Sequence, residues 1–220
     1  MRDKVIVITG GSSGIGAALA HHVARAGALP VLAARREREL EEVRAACGPG
    51  ALAVVADVTR RADVQRILDR AVERHGHVDV WVNNAGRGIT RPVSQLTDVE
   101  LEDMMRTNLT SALHGMQVAL SHFKPRGRGH IINVSSMLSR VPYVPWRSAY
   151  SAAKHALNAL TASLRLELKP EFPGIHVSTV LPGVVATEFG LRALQILTRR
   201  DALVVQFLLA RKLRSGKLGF

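Results

Sequence analysis

Cysteine is almost missing from this 220-residue chain: the single one, Cys47, excludes an internal disulfide and a cysteine-built metal cage. It reads as a small apolar residue at a helix end. Aromatic residues are scarce at 4%, so the net charge of +12 comes without a base-stacking surface. With no helix-turn-helix or zinc signature either, the charge indicates no specific nucleic-acid partner. No apolar run reaches bilayer-spanning length, and residues 1–9 (MRDKVIVIT) are too short and strand-like for a signal peptide. A cytoplasmic location is the default expectation. The nine histidines include the adjacent pair His21 and His22, but these fall on different faces of a helix and read as solvated surface; no metal constellation is evident. Internal repeats, low-complexity tracts and interdomain linkers are missing too.

What is present is a pattern of alternation. Six short runs rich in Val and Ile, at 4–9, 29–34, 51–56, 78–83, 130–135 and 175–181, alternate with helical periodicity over 14–26, 37–46, 62–74, 98–122 and 150–169. The runs are apolar on both faces, as strands covered by helices on each side must be. The expected fold class is therefore α/β, a doubly wound Rossmann-type parallel sheet in a single domain over residues 1–190.

The first run leads into Thr9-Gly10-Gly11-Ser12-Ser13-Gly14-Ile15-Gly16 and then directly into a helix. Gly10 permits a tight turn, Gly14 a close backbone approach to a pyrophosphate, and Gly16 close packing of helix on strand. The helix start offers free N–H groups and a positive dipole end to phosphate. The TGxxxGxG spacing resembles that of the short-chain dehydrogenase/reductase family. The second run ends in Ala33-Ala34 and is followed by Arg35-Arg36, where an NAD-binding fold would place an acid for the ribose 2′-hydroxyl. An arginine suits a 2′-phosphate, so NADP(H) is the expected cofactor, with Arg35 the first residue to test. In the resemblance, Asp57 and Val58 match the adenine contact, and Asn83-Asn84-Ala85-Gly86 matches the segment lining the cofactor.

Tyr150 and Lys154 stand four apart, on one face of a helix. A tyrosine is a poor base near neutrality, and a neighbouring ammonium favours the phenolate. Behind INVSS (132–136) and ahead of a long helix, the pair closely resembles the catalytic pair of the same family. The resemblance implies Tyr150 as acid/base, Lys154 bonding the nicotinamide ribose and lowering the tyrosine pKa, Ser136 polarising the substrate oxygen and Asn108 holding a relay water. Pro182, Gly183, Val185 and Thr187 match the family's segment beside the nicotinamide.

The resemblance covers about residues 3–190 and departs from the family in two places. Ser136 lies 14 positions before Tyr150, one more than the family's usual 13, so the intervening loop must absorb a residue. A seventh strand is not evident, and residues 191–220 carry seven Lys/Arg against one acid, half the net charge of the chain. That basic, apolar segment is read as a buried or subunit-facing helix, with a lid over the active site or peripheral membrane contact as alternatives. The expected function is hydride transfer between NADP(H) and a small alcohol or carbonyl substrate, apolar in character; the resemblance implies a homodimer or homotetramer. The alternative is a cofactor-binding or scaffold protein of the same fold without turnover.

Overall fold

The computed structural model describes residues 1–141, 146–183 and 185. Six strands, β1 (Val5–Thr9), β2 (Leu29–Ala34), β3 (Leu52–Val55), β4 (Val80–Asn83), β5 (Gly129–Val134) and β6 (Ile175–Val180), form one sheet ordered β3-β2-β1-β4-β5-β6, with every pairing parallel. Helices α1 (Gly14–Arg25), α2 (Glu37–Cys47), α3 (Arg61–His75), α4 (Asp98–Met105), α5 (Ser111–Phe123) and α6 (Ser148–Leu168) accompany it. Each apolar run of the sequence becomes a strand, and the fold is the expected Rossmann-type α/β sheet. Thr187 and the segment 191–220 lie outside the described residues.

The central strands are largely apolar because both sheet faces are covered there. Val5 and Val7 of β1 join Val31, Trp81 and Ile131 in a core closed by Ile67, Met116, Phe123 and Leu157 of α3, α5 and α6. Ile6 and Ile8 point the opposite way and meet Leu32, Val82, Ala20, Val23 and Leu40 beneath α1 and α2. Cys47 ends α2 and packs against this second core, while its sulfur lies 3.5 Å from His21 Nδ1. His21 is therefore half-buried rather than solvated, and only His22 is exposed.

The chain winds outward from β1 through β2 to β3, then returns to place β4 on the other side of β1. That reversal opens a crevice at the carboxyl ends of β1 and β4, the place where open α/β sheets bind ligands. Thr9 locks the two ends together. Its hydroxyl donates to the Val82 carbonyl (3.2 Å) and accepts the N–H groups of Asn84 (3.0 Å) and Ala85 (3.1 Å).

A buried polar chain fastens the next strands. Trp81 Nε1 donates to Asn83 Oδ1 (2.9 Å), Asn83 Nδ2 to Asn133 Oδ1 (2.8 Å), and Asn133 Nδ2 to Thr161 Oγ1 (2.9 Å). It links β4, β5 and α6 through a low-dielectric interior, where an orphaned member is costly. Asn133→Ala is expected to destabilise the protein by about 2 kcal/mol or more, since Asn83 and Thr161 each lose a partner. Urea unfolding of the two proteins measures this.

The one clear departure in secondary structure is the helix expected over 98–122. The structure interrupts it with a π-helical turn at Arg106–Thr110, between α4 and α5. Such wide turns recur at functional sites. Here the turn carries Asn108, whose Nδ2 donates to the Arg87 (2.9 Å) and Met104 (3.1 Å) carbonyls while Oδ1 accepts the Arg87 N–H (3.2 Å).

Candidate active site

The glycine turn between β1 and α1 is built as its sequence requires. Gly10 has a φ of +68°, the left-handed region that favours glycine. A Cβ on Gly16 would run into the Gly10 carbonyl and the Asn84 amide. Ser13, at the N-cap of α1, makes no side-chain cap bond, so side-chain capping does not occupy the first helical N–H groups beside Ser12, Gly14 and Ile15.

Arg36 reaches over this turn. Its Nη2 donates to Ser13 Oγ (2.7 Å) and Ser12 Oγ (3.3 Å), and Nη1 pairs with Glu39 (3.2 Å). Arg35 is exposed instead. Side chains of adjacent residues leaving a strand point to opposite sides, so only one of the two arginines can face the turn. Asp57, beyond β3, uses Oδ1 to accept the N–H (3.0 Å) and hydroxyl (2.8 Å) of Thr59, which fixes its loop. Val58 packs on the core and its carbonyl faces His114 Nδ1 at 3.3 Å. Asn84 Nδ2 donates to the Thr9 carbonyl (2.9 Å), which holds Ala85 and Gly86 at the crevice.

Four residues expected from the sequence converge at the far side of this edge. Ser136, Tyr150, Lys154 and Asn108 are all buried, with Tyr150 only 7% exposed. Gly86 links them, because a Cβ there would press on Asn108 Oδ1 and come within 3.7 Å of Lys154 Nζ. Despite the longer spacing, Ser136 comes close enough to Tyr150 to pull on its phenol. The loop after Ser136 winds into a short turn, Met137–Ser139, pinned to α6 by Ser151 Oγ on the Leu138 carbonyl (2.8 Å) and by Asn158 Nδ2 on Ser139 Oγ (2.7 Å). Neither pinning residue, Ser151 or Asn158, was given a role from the sequence. Pro182 and Gly183 run alongside, since the Pro182 carbonyl accepts the Met137 N–H (3.0 Å), and Val185 is exposed.

The electrostatics differ from expectation. Lys154 Nζ donates to the Val134 carbonyl (2.8 Å) and sits 5.8 Å from the centre of the Tyr150 ring. Burial pulls its ammonium down to about 8. Burial also pushes the Tyr150 phenol above its ordinary value, against the weaker lowering by the Ser136 hydrogen bond and the Arg147 guanidinium. The charge acting on the phenol thus includes Arg147, which the sequence reading passed over. An arginine at a helix start reads as a solvated charge, and only its burial marks it.

An open parallel sheet with a glycine turn at its switch point and a buried Ser-Tyr-Lys group at its carboxyl edge defines a doubly wound α/β scaffold built to hold a ligand across that edge. A family model described as short chain dehydrogenase matches residues 4–194, and the chain belongs to this family of oxidoreductases. An uncharacterized oxidoreductase of Listeria innocua is 38% identical over 192 residues, covering 86% of this chain and 77% of its own. Among solved structures, a variant of actinorhodin polyketide ketoreductase with NADPH superposes with a TM-score of 0.82 at 31% identity, covering 92% of this chain and 82% of that one. The 3-ketoacyl-(acyl-carrier-protein) reductase from Brucella melitensis complexed with NADH gives a TM-score of 0.81 at 30% identity, covering 86% and 78%. Among the described residues, no helix is long and apolar enough to cross a membrane.

Proposed function

We propose that this chain transfers a hydride between NADP(H) and an alcohol or carbonyl compound, with Tyr150 as the general acid/base. The observation carrying this reading is the burial of Tyr150, Ser136 and Lys154, with Lys154 Nζ and Asn108 closing on Gly86, one strand from the glycine turn. The residues fit a dinucleotide. The glycine turn leaves no room for a Cβ at Gly16 and keeps uncapped N–H groups at α1, Arg36 supplies a cation over Ser12 and Ser13, and Asp57, Val58 and Asn84 to Gly86 line the path between.

The bound nicotinamide would supply or accept the hydride at its C4. The chain's own groups do the rest. In the reductive direction Ser136 donates a hydrogen bond to the substrate oxygen, and Tyr150 gives that oxygen its proton as the carbon receives the hydride. Lys154 holds the ribose hydroxyls and, with an ammonium near pKa 8, can return a proton toward the phenolate. The π turn carries Asn108 to the site, where it would hold the relay water. Pro182, Gly183 and Val185 border the nicotinamide on this reading, whereas Thr187 and residues 191–220 lie outside the described residues. Exposed Val99 and Leu101 on α4 and Leu160 and Leu166 on α6 support pairing of subunits through these helices, in a homodimer or homotetramer.

Cofactor choice is tested by binding. Quenching of tryptophan fluorescence by NADPH and NADH is to be compared in the native protein, Arg36→Ala and Arg35→Ala. The expected result is a loss of NADPH affinity of roughly tenfold or more in Arg36→Ala, the scale of charge-assisted hydrogen bonds, with NADH binding unchanged. Equal binding of NADPH and NADH by the native protein would overturn the assignment to NADP(H).

A further inference from the structure

Ser136 is held from behind by α6, the helix that also carries Tyr150 and Lys154. Its Oγ accepts the Leu138 N–H (3.1 Å), and the Leu138 carbonyl in turn accepts the Ser151 hydroxyl (2.8 Å). Its carbonyl accepts the Ser139 hydroxyl (2.5 Å), whose oxygen accepts Asn158 Nδ2 (2.7 Å). The neighbouring Ser135 hydroxyl lies 3.3 Å from both Ser139 Oγ and the Lys154 carbonyl. Ser135, Ser136, Ser139 and Ser151 are all buried, so water does not compete for these bonds.

The direction of each bond follows from the single proton of a serine hydroxyl. The Ser139 proton goes to the Ser136 carbonyl, so Asn158 must present its NH₂ to Ser139 and not its oxygen. His155 Nδ1 lies 2.9 Å from the Ser151 carbonyl, which can only accept, and the Ser151 proton is left for Leu138. At the end of this relay the Leu138 N–H occupies a lone pair of Ser136 Oγ, and the Ser136 proton remains to be donated on the side of Tyr150. Asn158 shows that the arrangement works against the fold. Its Oδ1 is buried with no hydrogen-bond partner among the described residues, an unfavourable state that an apolar side chain of similar size would avoid. What the amide supplies in return is the donor for Ser139.

Resting on the hydride-transfer reading, we propose that Ser151 and Asn158 are positioning residues that set the place of Ser136 Oγ and the direction of its proton. Ser151 adjoins Tyr150, and Asn158 stands one turn beyond Lys154, so a single helix holds the serine in register with the Tyr-Lys pair. The register is then fixed by α6 and not by the length of the loop, and the longer stretch between Ser136 and Tyr150 leaves the serine in place.

The Tyr150 phenol reads the position of Ser136 without substrate or cofactor, because Ser136 and Arg147 both pull it down against the raising by burial. The chain has two tyrosines, so ultraviolet difference against Tyr150→Phe isolates this titration. It is to be followed in the native protein, Ser136→Ala, Ser151→Ala, Ser151→Thr, Asn158→Leu and the doubles of Ser151→Ala and Asn158→Leu with Ser136→Ala. Ser136→Ala should shift the phenol upward, Ser151→Ala and Asn158→Leu should shift it by less, and Ser151→Thr, which keeps the hydroxyl, should restore it. Neither double variant should exceed Ser136→Ala alone. In reduction of a panel of ketones, aldehydes and diketones, kcat should fall roughly tenfold in Ser151→Ala and Asn158→Leu, short of the ~10²-fold of an ångström-scale misplacement, with KM for NADPH unchanged. Asn158→Leu removes the unpaired oxygen together with the donor, so its thermal midpoint should stay near the native one. A phenol unmoved in Ser136→Ala or in the two single variants, or effects of full size persisting in the Ser136→Ala background, would overturn the proposal. The expected phenol shifts without reduction of any panel member would remove hydride transfer and keep the coupling to Ser136. Reduction that Ser151→Ala and Asn158→Leu leave untouched would do the reverse.

Discussion

Tyr150→Phe is expected to lower turnover by about 10²–10⁴-fold, the range that one positioned acid/base contributes, while NADPH affinity stays as in the native protein. The substitution removes one oxygen and keeps the ring, which is buried and packs in the short segment that begins α6. A large loss in kcat with intact cofactor binding therefore reports proton transfer rather than folding. The pH profile should show a direction as well. Burial holds the phenol above its ordinary value, so Tyr150 is protonated through neutral pH and ready to donate. Carbonyl reduction should accordingly be nearly flat across neutral pH, while alcohol oxidation, which needs the phenolate, should rise steadily into the alkaline range. An oxidation rate that is already maximal at neutral pH would contradict the raised phenol.

Lys154→Met is expected to abolish turnover and to stabilise the free protein. The ammonium is fully buried against one carbonyl, and burial lowers its pKa from 10.5 to about 8. Between those two values the unfolded chain binds more protons than the folded one, so folding stability rises with pH across that window. Below about 8 the whole penalty for burying the charge is present. Methionine has similar length and no charge to desolvate, although it leaves the Val134 carbonyl without its donor, which offsets part of the gain. The thermal midpoint should rise near neutral pH by about 2–4 °C, what roughly 1 kcal/mol moves in a chain of this size. The advantage should shrink as the pH approaches 10.5. Calorimetry at the two ends of the window measures it, and a variant less stable than the native protein at neutral pH would show that the Val134 hydrogen bond outweighs the charge. A site that holds a costly ammonium in place for function is consistent with stability given up at the point of chemistry.

The central strands were legible in the sequence because they are buried on both faces, which leaves a continuous apolar run such as VIVIT in β1 rather than a subtle alternation. The glycine turn and the Tyr150–Lys154 pair were legible because backbone crowding and helical spacing each leave a mark on residue type. Arg36 could not be told from Arg35, since their order along the strand does not say which side faces the turn; one glance at Ser12 and Ser13 does. The π turn at Asn108 was hidden because the apolar spacing runs through it unbroken, and what widens the helix is a set of contacts to Arg87 in a distant loop. Trp81, Asn83, Asn133 and Thr161 read as unrelated polar residues until β4, β5 and α6 bring them together. Arg147 was hidden for the same reason: charge is visible in a sequence, but partial burial beside Tyr150 belongs to the fold.

The central claim is that a hydride passes between the nicotinamide and a substrate carbon within this site. NADPH carrying deuterium at C4 is to be incubated with the native protein and a panel of ketones, aldehydes and diketones, and the products analysed by mass spectrometry. The account predicts deuterium on the carbinol carbon of a reduced product, from the native protein and not from Tyr150→Phe. NADPH that binds tightly while no member of the panel gains deuterium would contradict it, and would make the chain a cofactor-binding scaffold of the same fold.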